Sequence, residues 1–521
     1  MLHKVFCYVL SVFLSLVLCI PAGAKPLKES VINGHVLSLS DALAMGMQRN
    51  LDLQAVKMNI PINTENVVVF ESEFDPVFDA SVSSLEEEIP TASQAFNEDV
   101  DHYTWTGADV GISKKFMFGL ESHLAFETNR SRSNSTFYGL RPEYRDVLVL
   151  DLTQPLLRDF GMDPNTADLR ISENQMRQAA YGYIQQAQNI GKDIEVAYYD
   201  LGNALAILRY RNKSRALALE LVKGNQKKFE AGLVPITEVQ EAQTALASRD
   251  EEIVFAMQQV EILSNRLKDL MEIRPGDPLY GDLFITDPVL GIDQTFPELD
   301  KALDIALKNR PDLQQKRIKV ANQEIQIKYY SNQKLPRVDL GATLGINGLS
   351  GHGNSSSSYE GGYFDAISGM GKGDGHEWSV GLQFSYPIGN RAAHARYRRA
   401  SQEKRQTIYR LKRMEGTIET SVENAMVTIR RSMERVKISE RFEKLAAITL
   451  EQEMERLKKG LSDTFYILNF QNALIEAHIR KTTALFDFNK GLADLYLAMG
   501  TNLERYRIVA EINGKEINYD K

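Results

Sequence analysis

The sequence contains very little cysteine. Of its 521 residues only Cys7 and Cys19 are cysteines, and both lie in an apolar stretch that follows a short basic start. We interpret residues 1–24 as a secretory signal peptide that ends in a small-x-small cleavage motif. The mature chain is then expected to have no disulfide, no thiolate metal site and no cysteine nucleophile. Lipidation of Cys19 is the alternative, which the large Leu18 before it disfavours.

Long apolar runs are also missing beyond the signal peptide. No later stretch of about 18 residues is apolar enough for a membrane-spanning helix. A secreted bacterial chain can nevertheless cross a membrane through the strands of a closed β-barrel, because such a barrel satisfies every backbone hydrogen bond internally.

The chain has little of what nucleic-acid binding, metal binding or catalysis requires. Its 61 basic and 69 acidic residues give a net charge of −8, which argues against nucleic acid as the main partner. The eight histidines form no His-Glu-x-x-His motif. Residues 369–375 resemble a phosphate loop only superficially, since Gly373 stands where serine or threonine is required. We predict no enzyme, no cofactor and no metal.

The two halves of the sequence repeat each other. In an ungapped alignment of the early part of each half, Leu43 falls on Leu303 and Pro76 falls on Pro336, among other identities. Later in the chain a slightly shorter offset places Gly232 on Gly460. Because repeats of this length indicate duplicated structural units, we predict two internal repeats.

The first repeat contains an insertion. The segment from Pro76 to Pro155 is longer than its counterpart from Pro336 to Pro387. The difference is about 28 residues, which is enough for one β-hairpin. We place the hairpin at residues 103–128. Whether it widens a barrel or stands outside it stays open at this point.

Each half has the pattern helix, strands, long helix, sharp break, long helix. Helical spacing of 3 and 4 residues places two sets of apolar residues on single stripes. These are Ile190, Ile194, Ala197, Leu201, Leu205 and Leu208 in the first half, and Ile418, Val422, Ala425, Ile429, Met433 and Val436 in the second. Residues 166–231 contain no proline and predict a helix of roughly 65 residues, which needs coiled-coil partners. An ordinary helical bundle would give the same stripes.

The segments between the helices alternate apolar and polar residues, which is typical of strands. The predicted strands cover residues 76–84, 119–128, 147–152, 337–346 and 378–386, most of them near the ~9–11 residues that a tilted barrel strand needs. We interpret the glycine-rich residues 348–375 as a solvated loop. Four to six strands per chain cannot close a barrel around a pore, so several copies must share one wall.

Several short motifs resemble the TolC family of outer-membrane factors. Residues 229–242, FEAGLVPITEVQEA, are similar to the family's signature at the turn between paired helices, and residues 457–470 are a weaker copy. Residues 335–340, LPRVDL, resemble the family's entry into a strand. Residues 154–157, QPLL, and 386–388, YPI, resemble its strand exits into the long helices. The resemblance extends over roughly residues 37–500.

The resemblance implies a mainly α fold with β-strands, in which long antiparallel coiled-coil helices are combined with membrane strands of a shared trimeric β-barrel. The implied partners of the homotrimer are outer-membrane lipid, a periplasmic adaptor (membrane fusion) protein and an inner-membrane pump of the resistance-nodulation-division or ABC type. The chain would be the exit duct of a tripartite efflux or type I secretion system, in the outer membrane and extending into the periplasm. The expected domains are the signal peptide 1–24, a first repeat 25–271, a collar 272–298, a second repeat 299–500 and a C-terminal tail 501–521 that adds to the collar.

The resemblance also places a gate at the periplasmic helix tips, at the turns that follow Gly232 and Gly460. Glu238 matches an acidic tip residue of the first repeat. In the second repeat the family's usual aspartates fall on Tyr466 and Asn469, and a usual basic link residue falls on Ser462. We expect Tyr466 to constrict the duct by its bulk. We also expect the duct to prefer cations less than a ring of carboxylates would, unless Asp463 supplies the missing carboxylate.

Each of these tip residues has a plainer interpretation as well. Both glycines are expected to be helix caps whether or not they belong to a gate. Glu238 and Asp463 are also the carboxylates that a helix start favours through its dipole. For the whole chain, the alternatives to a duct are a secreted trimeric coiled-coil structural protein or adhesin, and a periplasmic enzyme. The cargo cannot be read from the sequence.

Overall fold

A computed structural model describes residues 34–92, 100–135, 137–287, 291–292, 295–353, 358–373 and 375–506, together with two short strands at 511–512 and 515–516. The predicted signal peptide lies outside the described residues. The chain forms two compact units. The helical unit comprises the described residues of Met1–Asn50, Ile190–Phe296 and Asn424–Leu495, and the sheet unit comprises those of Leu51–Asn189, Pro297–Glu423 and Tyr496–Lys521.

The chain contains the predicted helices and strands in the predicted order, together with a helix at Tyr363–Lys372 and short strands that we did not predict. The α-helices are α1 (Leu39–Arg49), α2 (Leu51–Lys57), α3 (Asn59–Glu71), α4 (Met162–Asn165), α5 (Ala167–Glu230), α6 (Ile236–Leu270), α7 (Leu299–Asn309), α8 (Pro311–Asn332), α9 (Tyr363–Lys372), α10 (Arg391–Lys458), α11 (Thr464–Met499) and α12 (Asn502–Arg505). The strands are β1 (His35–Leu37), β2 (Val77–Pro90), β3 (Val100–Lys115), β4 (Glu121–Ser133), β5 (Leu140–Pro155), β6 (Phe284–Thr286), β7 (Arg337–Gly353), β8 (Gly375–Ser385), β9 (Glu511–Ile512) and β10 (Lys515–Glu516). In the described part of the chain, no helix combines the length and apolar character that crossing a membrane requires.

Four long helices form two sequential pairs, α5 with α6 and α10 with α11. Helix α5 has 64 residues, close to the length predicted, and α10 has 68. Of the two predicted apolar stripes, every residue is buried except Met433, which is half-buried. Each buried leucine or isoleucine contributes about 1.5–3 kcal/mol, so the stripes stabilise the packing of these long helices.

Ion pairs flank the apolar stripes in the helical unit. Between α5 and α6, Arg211 Nη1 lies 2.8 Å from the Glu252 carboxylate. Between α10 and α11, Glu443 accepts hydrogen bonds from Lys481 Nζ and His478 Nδ1, both at 2.7 Å. Burial raises the pKa of Glu443, but these two hydrogen bonds outweigh it and the net pKa of this carboxyl is lowered. The pair α10–α11 is therefore held by charge as well as by apolar contact.

The sheet unit contains one antiparallel sheet of six strands in the order β2-β3-β4-β5-β7-β8. All five strand segments predicted from alternation are strands here. The predicted hairpin is β3 and β4, which lie inside the sheet between β2 and β5. The insertion therefore extends one continuous sheet in the single chain.

Alternation gives the sheet one apolar and one polar face. Directly paired residues form an unbroken apolar row across all six strands, namely Phe78, Ile112, Leu124, Leu150, Leu344 and Trp378. The adjacent row on the opposite face is Val77, Ser113, His123, Asp151, Thr343 and Ser379. In this second row Ser113 Oγ lies 2.9 Å from His123 Nδ1, and Thr343 Oγ1 donates to Asp151 at 2.6 Å.

The strands are longer than we predicted. They have 11 to 17 residues, where we expected about 9–11. On the apolar face of β7 the leucines and isoleucine stop at Ile346, and Gly348, Ser350 and His352 follow. The apolar part of β7 therefore has about the expected length, and the polar remainder extends the strand because its neighbours continue to offer backbone hydrogen bonds.

The prediction of a solvated loop over residues 348–375 is wrong for much of that range. Strand β7 continues to Gly353, and α9 packs on β7 and β5 through Ala366 and Met370, both buried. Ser350 Oγ donates to the Gly362 carbonyl at 2.7 Å and fixes the start of this helix. A Cβ on Gly348 would lie 1.9 Å from the Ala366 carbonyl oxygen, so only glycine permits this approach. At Gly348, therefore, close packing is the reason for glycine.

A buried tyrosine connects α5 to the two-stranded parallel sheet of β1 and β6. The Tyr198 hydroxyl donates to the Leu37 carbonyl at 2.8 Å and accepts from the Asp287 amide at 2.8 Å. Burial raises the pKa of Tyr198 to about 12, so the hydroxyl stays protonated at neutral pH and keeps both bonds.

Replacing this hydroxyl by hydrogen, in Tyr198→Phe, leaves the Leu37 carbonyl and the Asp287 amide without their partner. We expect a local loss of about 1 kcal/mol, because both groups were satisfied in a buried place. Hydrogen exchange of the Asp287 amide in detergent-purified protein should quicken severalfold, while amides in 236–250 stay unchanged. Equal exchange at Asp287 in both proteins would contradict this role.

Candidate functional site at the helix tips

The tips are the two turns that join the paired helices. After α5 ends at Glu230, Gly232 adopts φ +73°, its amide donates to the Phe229 carbonyl at 2.8 Å, and the Leu233 amide donates to the Lys228 carbonyl at 2.8 Å. These two bonds satisfy carbonyls that the helix end leaves without partners.

The second turn, at the equivalent position of the second half, has the same geometry. Gly460 also adopts φ +73°, and its amide donates to the Leu457 carbonyl at 3.1 Å. The Leu461 amide donates to the Arg456 carbonyl at 2.9 Å. A positive φ disfavours any residue with a Cβ, so the same backbone conformation favours glycine at both turns.

A buried polar cluster joins the two helix pairs beside these turns. Asn225 Nδ2, on α5, donates to Thr464 Oγ1 on α11 at 2.7 Å and to the Glu238 carbonyl on α6 at 3.1 Å. Thr464 Oγ1 donates in turn to the Glu238 carboxylate. Asn225 and Thr464 are almost fully buried, so each depends on the other for its hydrogen bonds. We call Asn225, Glu238 and Thr464 the tip cluster.

A second polar contact joins the same helices farther from the turns. Arg249 on α6 is buried and donates from Nη2 to Asn472 Oδ1 on α11 at 2.7 Å. Burial lowers the pKa of Arg249, although a guanidinium remains charged at neutral pH. Lys490 on α11 donates to Asp200 on α5 at 3.0 Å. Helix α11 is thus attached to α5 and α6 by a series of polar contacts.

The remaining predicted residues lie around the second turn. Ser462 Oγ donates to Glu453 at 2.5 Å, and Arg456 Nη1 donates to the same carboxylate at 3.1 Å. This contact stays within the α10–α11 pair. Asp463 precedes α11 and accepts from the Tyr466 amide at 3.2 Å, which is the bond of a helix cap. The carboxylate of Asp463 is thereby used for the helix start.

Tyr466 and Asn469 lie on the exposed surface of α11 in the single chain. The Tyr466 side chain is 51% exposed and its ring packs edge-on against Phe465, with 5.8 Å between ring centroids. The structure therefore brings Glu238 into the tip cluster and places Ser462 in a separate contact. It leaves the bulky tyrosine exposed in the single chain.

Sequence reasoning missed the other members of these contacts, Asn225, Thr464, Glu453 and Arg249. One signal was available for two of them. The alignment that places Gly232 on Gly460 also places Asn225 on Glu453, and both polar residues continue the apolar stripes of their helices. A polar residue at an apolar position of a long helix often fixes register and partner. Within the part of the chain that the structure describes, no three metal-ligating side chains are grouped to hold an ion.

Long paired helices and an antiparallel sheet with one apolar and one polar face define a class of protein, the outer-membrane channels of bacteria. The profile of the outer membrane efflux protein family matches residues 123–271 and 302–501, which is more than half of the chain. The chain belongs to this family of outer-membrane efflux proteins. The resemblance to TolC-type proteins is confirmed.

Solved structures of outer-membrane channels share the fold. The channel OprN superimposes with a TM-score of 0.63 at 17% identity, covering 89% of this chain and 90% of that chain. CmeC of Campylobacter jejuni gives 0.62 at 16% identity, covering 89% and 86%. VceC of Vibrio cholerae gives 0.61 at 14% identity, covering 89% and 96%. No curated protein matches the chain in a sequence search.

The glycine turns can be tested by adding a methyl group. Gly232→Ala and Gly460→Ala each place a Cβ at φ +73° and should destabilise the turn by about 1 kcal/mol, although no atom stands in the way of the Cβ. Hydrogen exchange at 228–235 or 456–463 should quicken. The matched control is Gly224→Ala, which lies within α5 in open space and should slow exchange, because alanine favours helix. Slower exchange in all three variants would refute the requirement for glycine.

Proposed function

We propose that three copies of this chain form one exit duct across the outer membrane, with the long helices in the periplasm. The observation that carries the proposal is the six-stranded sheet with two open edges, β2 and β8. One face is apolar and the other polar, as lipid and a water-filled pore require, yet six strands are too few to enclose a pore. Each chain therefore depends on others to close the wall.

The strand directions permit this closure. Strand β2 leads away from the helix that precedes it and β8 leads back towards the helix that follows it, so the two edges run in opposite directions. β8 of one copy can therefore pair antiparallel with β2 of the next. Repeating this pairing three times removes every edge, which a sheet in lipid must do.

Uncovered apolar residues on the helical unit support packing between copies. On α10, Ile438, Leu445 and Ile448 lie within about three turns and are more than half exposed in the single chain. On α6, Phe255 and Ile262 are similarly exposed. Contact between such surfaces of neighbouring copies would bury them and line up the helices as a duct wall.

We further propose that the duct is closed at the helix tips and opens when the tip cluster separates. Polar contacts hold the α5–α6 pair to the α10–α11 pair at this place, and water can replace each of them when the helices move apart. In this arrangement Tyr466 narrows the opening by its bulk, and Asn469 lines it without charge. Glu238 keeps the cluster together.

The tips also present apolar side chains to a partner. Leu233 and Leu461 stand at equivalent positions of the two turns and are about two-thirds exposed or more. They support docking of a periplasmic adaptor protein, which would connect the duct to an inner-membrane pump of the resistance-nodulation-division or ABC type in a tripartite efflux or type I secretion system. Two TolC-type repeats, 25–271 and 299–500, with a collar at 272–298 and a tail at 501–521, complete this proposal.

The tip cluster can be tested with an isosteric substitution. Thr464→Val removes the one hydroxyl that bonds both Asn225 and Glu238. Asn225 then keeps only its bond to the Glu238 carbonyl, and the Glu238 carboxylate loses its donor on α11. The closed tip should lose about 1–1.5 kcal/mol, so the open fraction should rise roughly five- to tenfold. Single-channel recordings of trimers in planar bilayers measure this.

The matched control is Thr449→Val on α10, because Thr449 bonds only the backbone of its own helix. The control should leave the recordings unchanged. Equal channel activity in Thr464→Val and the unaltered protein would show that the tip cluster does not hold the duct closed.

A second substitution tests the constriction. Tyr466→Ala removes the bulkiest exposed ring at the start of α11 and should make trimers leakier, with a larger conductance per channel. The same bilayer recordings measure it, and an unchanged conductance would remove Tyr466 from the gate while leaving the duct itself in place.

A further inference from the structure

We propose that the inserted hairpin β3–β4 belongs to the membrane wall, so that three copies close a wall of eighteen strands whose exit is wider than four strands per chain would give. This inference rests on the proposed homotrimer. It goes beyond that proposal because it makes both strands of the insertion part of the wall at the membrane and so sets the width of the exit.

Hydrogen bonding integrates the hairpin on both of its edges. Fourteen residue pairs join β2 to β3, thirteen join β3 to β4, and eleven join β4 to β5. None of these three registers contains a bulge or shift. A hairpin that stood outside the wall would have to leave β2 and β5 paired with each other, and here they are separated by two strands.

The side chains of the hairpin follow the same division of faces as its neighbours. Ile112 of β3 and Leu124 of β4 continue the apolar row between Phe78 and Leu150. Both side chains are nearly half exposed in the single chain. Trp378, at the far edge of the sheet, is more exposed still. Exposed apolar residues in register with a lipid-facing row have lipid as their partner, because water would disfavour the whole row.

The opposite face of the hairpin is polar and bonded across the strands. Ser81 Oγ of β2 donates to Asp109 of β3 at 2.5 Å, and Ser113 of β3 bonds His123 of β4. These contacts join the insertion to the pore-facing row that continues to Asp151 and Thr343. The insertion therefore adds polar wall to the lumen.

Geometry sets the consequence for the exit. Two added strands preserve the alternating direction of the sheet, so closure between copies is unchanged. With strands about 4.8 Å apart and tilted by about 40°, eighteen strands enclose a backbone diameter of roughly 36 Å, against roughly 24 Å for twelve. The membrane section is then wider than a twelve-stranded wall would give.

Electron cryomicroscopy of detergent-purified trimers tests the wall directly. Eighteen strands with β3 and β4 between β2 and β5 are expected. A twelve-stranded wall with the hairpin outside it would overturn this inference and leave the homotrimeric duct intact. Particles that are not trimeric would overturn the proposed function, and this inference with it.

A pair of neighbouring substitutions tests the two faces in the membrane. Ile112→Arg places a charge in the lipid-facing row, and Ser113→Arg places the same charge at the same depth on the pore face. The yield of folded, heat-modifiable trimer should fall at least tenfold for Ile112→Arg and less than twofold for Ser113→Arg. Leu382→Arg on β8 is the positive control, and its trimer yield should fall as much as that of Ile112→Arg. Equal yields for Ile112→Arg and Ser113→Arg, with loss in Leu382→Arg, would place the hairpin outside the bilayer.

Discussion

The need to pair every backbone amide and carbonyl inside a membrane governs this structure. A helix satisfies that need within itself, but a strand depends on its neighbours, so a sheet in lipid has to close. Six strands in one chain leave β2 and β8 open. In the proposed duct the apolar row from Phe78 to Trp378 faces lipid, and the open edges pair with those of neighbouring copies. In the proposed duct, neighbouring copies make up this deficit of strands.

The long helices are held together by side-chain contacts, whereas the strands of the sheet are joined by backbone hydrogen bonds. Along most of α5 and α10 the buried residues are apolar, and such contacts are strong, undirected and hard to separate in water. Near the tips the contacts between the pairs become polar, with Asn225, Glu238 and Thr464 at the turns and Arg249 farther along. Each polar bond is worth only about 1 kcal/mol net, because water can replace it. In the proposed gating, the helix pairs separate at the tips because these polar contacts are the ones that water can replace there.

The two halves of the chain have the same helix turns, but they differ in the polar contacts beside those turns and in the hairpin insertion. Both turns end their helices on glycine at φ +73° with the same pair of backbone bonds. The cluster around Glu238 connects the helix pairs, whereas the cluster around Glu453 stays within one pair. The hairpin insertion is a second difference. A sheet accepts two extra strands more readily than one, because a pair restores the direction of the chain.

The sequence by itself determined much of the architecture. Apolar spacing located the stripes of α5 and α10, alternation located the strands, and the unequal proline spacing located the insertion, because these signals depend on neighbours along the chain. Motif resemblance identified the family. Tertiary structure decided what depends on distant residues: the place of β3 and β4 inside the sheet, the packing of α9 on Gly348, and the partnership of Asn225 with Thr464, which are 239 residues apart. Local sequence patterns show which face of an element is apolar, but only the folded chain shows which other element packs against that face.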